Sequence, residues 1–203
     1  MAEDQFYVEV NAVQKNYDQE RICGDKFLTR RIHEENRIIV VLSDGMGHGV
    51  KASMLSTLTA TMALNFTEEH KDVNTIADLI MNTLPVCSER KMSYSTFTII
   101  DIEIDGETRI LEYDNPQTAI LRKNKLFDPG WQCIILESEK NAGKELRTCS
   151  FRHQKEDRIV VCSDGIPQSG MGSSKFPFGW GTENFETYIQ ELVTHDRTIS
   201  ALQ

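Results

Sequence analysis

The sequence predicts an α+β fold in which mainly antiparallel strands form two stacked sheets flanked by helices. Three observations lead there. Two helical patterns follow one another across residues 50–88. A series of strand-like runs then fills residues 94–163 with no helix between them. Turn signals, of which Asp105-Gly106 is the strongest, join neighbouring runs closely enough for hairpins. The same pattern leaves a single helix-covered antiparallel sheet open as the alternative.

Each element has its own justification. Residues 6–13 alternate, with Phe6, Val8 and Val10 set against Tyr7, Glu9 and Asn11, which predicts a half-buried strand. Residues 14–24 are polar loop. A strand over 27–32 turns at 33–36 into the apolar run Ile38 to Leu42, which has no polar face and so reads as buried on both sides. The first helix is expected over 50–65, with Leu55, Leu58, Met62 and Phe66 turned inward and Met54 and Met62 as core filling. A second helix over 73–88, capped by Asp72 or Asn74, carries Ile76, Leu79, Ile80 and Leu84 on one face and bends or ends at Pro85.

Strands are then expected over 94–104, 108–113 and 118–122, with shorter ones at 126–127 and 131–136. Residues 146–154 and 158–163 read as a last hairpin around 155–157. Glycine and proline make 165–181 a loop, whose Phe176, Phe178 and Trp180 either anchor it or form a docking surface. A helix over 183–193 follows.

Composition narrows the function. The chain of 203 residues reads as one domain, and a formal charge of −9 argues against a nonspecific nucleic-acid surface. No apolar run reaches membrane-spanning length and the N-terminus carries no secretion signal. Five scattered cysteines, Cys23, Cys87, Cys133, Cys149 and Cys162, point to buried thiols in a reducing cytoplasm and not to a disulfide framework.

The chemistry sits in one repeated motif. The run Ile38 to Leu42 ends in Ser43-Asp44-Gly45, followed by Met46-Gly47-His48-Gly49 and the first helix; near the far end a second apolar run ends in Ser163-Asp164-Gly165. Two strands that each deliver an aspartate at the C-terminal end can set both carboxylates around one site, and Asp25, preceded by Gly24, is a third candidate. Hard divalent cations take six or more oxygen ligands, which separated aspartates and a glycine carbonyl suit; zinc would call for cysteine and histidine spacing. The plain alternative is that each Asp-Gly pair is only a turn.

With Gly24-Asp25, Asp44-Gly45-Met46-Gly47-His48-Gly49, Asn115-Pro116 and Ser163-Asp164-Gly165 in this order, the chain resembles the metal-dependent protein serine/threonine phosphatase family (PPM), in its bacterial SpoIIE-like branch. The resemblance spans almost the whole chain. It implies a four-layer αββα sandwich with metals at one end between the sheets, a single domain over 1–203, and two ions of Mn²⁺ or Mg²⁺. By the same implication Asp44 bridges the ions, Asp25 and the Gly45 carbonyl serve one, and Asp164 serves the other. The implied reaction is hydrolysis of phosphoserine or phosphothreonine on a bacterial regulatory protein, such as an anti-anti-sigma-like regulator, by a metal-bridging water. A non-catalytic phosphatase-like binding or regulatory module is the alternative.

Departures from the family pattern matter as well. Met46 stands where many relatives have histidine, so His48, two residues on, does not inherit a general-acid role. Arg21, Lys26, Arg30 and Lys51 are possible phosphate contacts. The family's final Asp-Asp-x-Thr string, which brings its last metal aspartate, does not follow Asp164. The chain is therefore expected to lack a last helix and strand, to hold the Asp164-side ion weakly and to turn over slowly.

Overall fold

The computed structural model describes residues 7–16, 21–84 and 95–195. Nine strands and three helices are formed among them: β1 (Lys26–Ile32), β2 (Arg37–Ser43), α1 (Gly49–Glu68), α2 (Val73–Thr83), β3 (Phe97–Glu103), β4 (Thr108–Tyr113), β5 (Ala119–Arg122), β6 (Lys125–Leu126), β7 (Gln132–Ile135), β8 (Glu145–Phe151), β9 (Arg158–Val160) and α3 (Thr182–His195). One sheet has six strands in the order β1-β2-β3-β4-β8-β7, the other three in the order β6-β5-β9, and their strand pairs are antiparallel.

Side-chain parity builds the layers. On β2, Ile39 and Val41 face α1 and α2, while Ile38 and Val40 face the second sheet. That double burial is what an unbroken apolar run predicts. Ile100, Ile102, Ile110, Ile120 and Phe151 complete the layer between the sheets, and Ala119 and Leu121 of β5 turn outward onto Ile189 and Val193 of α3. The order is therefore helices, six-stranded sheet, three-stranded sheet, helix: the αββα sandwich expected from the resemblance, and two stacked sheets instead of one.

The helices differ from expectation in informative ways. α1 buries Ala52, Ser56, Thr59, Ala60, Ala63 and Leu64, whereas Met54 is 68% and Leu58 42% exposed. Small residues let the helix lie close to the sheet, so Met54 and Leu58, expected inward, sit on its outer side, while Met62 and Phe66 pack against the core as their spacing predicts. Two substitutions check this. Ala60→Leu should cost about 2–3 kcal/mol by overpacking, whereas Met54→Gln should stay within about 0.5 kcal/mol, both read from urea unfolding midpoints. α2 is capped by Asp72, whose side chain accepts from the Thr75 amide at 3.0 Å. It ends at Thr83 because Leu84 takes the extended conformation (φ −67°, ψ 137°) that a following proline imposes. The remainder of the expected second helix lies outside the described residues.

Two expected strand features are not formed. Residues 7–13 make no strand; Val8 touches the inter-sheet core, but Tyr7, Val10 and Val13 are exposed. Alternation there is real, but no neighbouring strand takes up its backbone. The expected last hairpin is also absent, although its turn is present. β8 pairs with β4 and β7, while β9 pairs with β5 in the other sheet. Arg122 holds the turn by donating to Asp157 at 2.6 Å, so the chain changes sheets there.

The end of the sandwich away from the Ser-Asp-Gly motifs is clamped by Arg37, 2% exposed, which donates to Asp101 at 2.7 and 2.8 Å and to the Thr67 carbonyl at 2.7 Å. This fork fixes the C-terminal turn of α1 over β2 and β3. No described helix is long and apolar enough to cross a membrane.

Candidate active site

Three chain segments bring the candidate acids together. The β1–β2 pairing runs from Ile32↔Arg37 to Lys26↔Ser43, and Asp25 and Asp44 flank that last pair in the chain, Asp25 lying close enough to bear on the Asp44 carboxyl. The third segment comes from the other sheet: beyond β9, Ser163 donates its hydroxyl to Asp25 Oδ2 at 2.7 Å. Asp164, next in the chain, is held by Gln168, whose side-chain amide donates to its Oδ2 at 2.8 Å.

The electrostatics follow from that crowding. Burial, then the Asp25 charge and hydrogen bond, then those of Asp164, push the Asp44 carboxyl up to about 8. Asp44 is thus the partly buried centre of the cluster, with Asp164 at its exposed rim.

The backbone around Asp44 is fixed from β3 and β4. Thr96 donates its amide to the Asp44 carbonyl at 3.1 Å and accepts from the Asp44 amide at 3.3 Å through its hydroxyl. Ser95 donates to the same carbonyl at 2.9 Å. Buried Asn115 accepts from the Thr96 hydroxyl and donates to Thr98 at 3.0 Å. Its own carbonyl accepts from Arg147, which lies 3.2 Å from the Glu112 carboxylate as an ion pair without hydrogen-bond alignment. Glu112, 1% exposed, also accepts from the Thr118 amide at 2.7 Å; burial pushes its carboxyl up. The route from the inter-sheet layer to Asp44 is continuous.

Glycine is required where backbones meet. A Cβ on Gly45 would overlap the Ala52 carbonyl of α1. A Cβ on Gly24 would lie 3.5 Å from the Gly47 carbonyl oxygen and 3.6 Å from that of Gly45, so both carbonyls converge beside the residue preceding Asp25.

Among the described residues no three His, Cys, Asp or Glu side chains form a ready-made cation cage. In donor chemistry the cluster nevertheless fits hard divalent cations: it offers carboxylate and carbonyl oxygen, and repulsion that a cation would relieve.

Other expected residues fall as follows. Arg30 is committed to Glu68 and to Asn65 (3.3 Å) on α1, which removes it from the phosphate candidates. Arg21 and Lys51 are exposed and Lys26 is half-buried. His48 occupies the N-cap position of α1 and makes no side-chain capping bond. Cys162 is half-buried, with its thiol pushed up to about 12 by burial, in keeping with packing and not redox chemistry. Cys87 lies outside the described residues. The sequence named Ser163 only as part of its Ser-Asp-Gly motif, without a role toward Asp25, and did not point to Gln168, Thr96 or Glu112. Of the last three, Glu112 leaves a trace, since two-residue alternation from Thr108 and Ile110 puts it on the inward face.

The family described as stage II sporulation protein E (SpoIIE) matches residues 34–195. The chain is similar to solved structures of three kinds. RsbX in complex with magnesium has a TM-score of 0.59 at 17% identity, over 94% of this chain and 88% of that one. The RsbU and RsbW domains of Rv1364c from Mycobacterium tuberculosis give 0.67 at 15%, over 92% and 51%. The PP2C phosphatase domain and regulatory fragment of SpoIIE from Bacillus subtilis give 0.65 at 18%, over 87% and 48%. At these identities the likeness shows the fold alone. No curated protein sequence matches the chain significantly.

Proposed function

The chain belongs to the SpoIIE branch of the PPM/PP2C-like phosphatases, and from that premise we propose that it removes phosphate from phosphoserine or phosphothreonine of a protein, with divalent cations held by Asp25, Asp44, Asp164 and the Gly45 carbonyl. The observation that carries this reading is that Asp44 is raised by burial and by the carboxylates of Asp25 and Asp164 crowded against it. Such repulsion has no use in folding and is relieved by a cation. The magnesium of the RsbX structure supports the choice of Mg²⁺ or Mn²⁺.

Bound cations would supply neutralisation of the phosphate oxygens and a water acidic enough to attack phosphorus near neutral pH. The chain's own residues would do the rest. Ser163 orients Asp25 and Gln168 orients Asp164. Thr96 and Asn115 keep Asp44 from rotating out of the cluster. Asp44 gives up its proton when a cation arrives. Cation affinity therefore rises with pH while Asp44 is protonated in the free protein: about tenfold per pH unit between pH 6 and 7, flattening above pH 8. Calorimetric titration with Mn²⁺ in buffers of different ionisation enthalpy measures both the affinity and the released proton.

The test of function is phosphate release from a phosphoserine peptide with and without Mn²⁺. Release that requires the cation supports the phosphatase; cation uptake with no release from any phosphoprotein or peptide would overturn it. A second reading, a phosphatase-like binding module, is favoured by one observation, the absence of a ready-made cage among the described residues. It predicts phosphopeptide binding without release.

A further inference from the structure

Resting on the phosphatase reading, we propose that the loop over residues 165–181 is a docking device for the phosphorylated protein substrate, with Phe178 as an anchor that enters an apolar site beside the phosphoserine. The loop begins at the exposed rim of the acid cluster. Gln168 donates its backbone amide to the Asp164 carbonyl at 2.9 Å and its side chain to the Asp164 carboxylate, so the loop's first turn and the site share one residue.

The loop is also closed on itself. Gly181 donates to the Pro167 carbonyl at 2.8 Å and Gly172 to the Pro177 carbonyl at 3.3 Å. Gly179, at φ +90°, passes so near that an added Cβ would come within 2.6 Å of the Pro167 oxygen. Phe176 packs under Gly170, and Trp180 packs edge-on against Phe185 and Tyr188 of α3, with ring centroids 6.3 and 5.7 Å apart. Phe178 lies between these two anchored aromatics, 91% exposed, and Met171 and Ile166 add 55% and 42% exposure. An aromatic ring held outward by fixed neighbours loses little freedom on binding, which suits an interface anchor.

Charge selects the partner. The chain carries −9 overall, which repels a phosphorylated, anionic protein. None of its 31 acidic residues lies between Asp164 and Glu183, and the one charged side chain there is Lys175. The acid-free, apolar surface thus begins where the phosphate would arrive. A substrate with apolar residues flanking its phosphoserine matches that surface.

Two fluorescein-labelled phosphoserine peptides, one flanked by leucine and valine and one by serine and glycine, test this by anisotropy in EDTA with the full chain. The apolar-flanked peptide should bind about tenfold more tightly. Phe178→Ser should erase that preference while leaving the melting temperature and the Mn²⁺-dependent hydrolysis of p-nitrophenyl phosphate unchanged. Equal binding of the two peptides, or a preference that survives Phe178→Ser, overturns the proposal. So does a concentration-dependent dimer in sedimentation that Phe178→Ser abolishes, because a second copy would then be the occupant. Preference for the apolar-flanked peptide with no phosphate release from any substrate keeps the docking surface and removes the phosphatase reading instead.

Discussion

In cation-free buffer at pH 8, Asp44→Asn should melt about 4 °C above the parent chain and lose the further rise that Mn²⁺ is expected to give the parent. The parent holds Asp44 raised to about 8 by burial and by Asp25 and Asp164. A raised carboxyl means that the folded chain binds the proton more tightly than the unfolded one. Stability is then untouched below about pH 4, falls as pH rises from about 4 to about 8, and stays reduced above. Solvent screening of a partly exposed group reduces the penalty to about 1–2 kcal/mol. The asparagine keeps the shape and drops the charge, so the gain should be present at pH 8 and absent at pH 4. On the proposed reading, phosphate release should fall at least about a hundredfold in the same variant, because the cations that would neutralise the reacting oxygens are to be held by the central carboxylate. Differential scanning fluorimetry across pH, with and without Mn²⁺, reads the stability half. A variant that melts below the parent at pH 8 would mean that the acids are not crowded.

The second large effect is expected at Gly45→Ala. The methyl group would overlap the Ala52 carbonyl, which belongs to a rigid helix and cannot swing aside. Either α1 moves off the end of β2 or the Asp44-Gly45 backbone leaves its bonds to Ser95 and Thr96. Overpacking of this kind should cost about 3 kcal/mol, or about 6–12 °C in a chain of this size. Gly47→Ala is the control. Gly47 has nothing within 4 Å of an added Cβ and only a positive φ of 91° to resist the change, so it should lose about 1 kcal/mol. Thermal melts of the two variants compare steric overlap with backbone strain two residues apart. Similar losses would show that Ala52 is not the obstacle.

Much of this was readable before any coordinates, for reasons that differ by element. The run Ile38 to Leu42 announces its double burial because it has no polar face. Asp72 announces a cap, and Lys123 and Asn124, at φ 52° and 62°, make the tight turn that their position between two strands suggests. The acids were legible as a set because Ser-Asp-Gly follows an apolar run twice. What stayed hidden is what local pattern does not encode. Met54 and Leu58 have the right spacing for a buried face, yet the tighter packing of Ala60 and Ala63 against the sheet wins. The split of β8 and β9 between sheets is set by the partners β4 and β5, which are distant in sequence. Ser163 and Gln168 are ordinary polar residues until the fold sets them against Asp25 and Asp164.

Asn115 sits in the short link by which the chain leaves β4 for β5, and so for the other sheet. Its side chain braces Thr96, and through it Asp44. The central acid of the cluster is therefore held from the seam of the sandwich as well as from its own strand. Were one sheet to slide over the other by a fraction of a residue, Asn115 would turn, Thr96 would lose its stay, and the cluster would loosen while both hydrophobic layers remained intact. In a scaffold wired this way, the arrangement of the acids is easier to disturb than the fold that carries it.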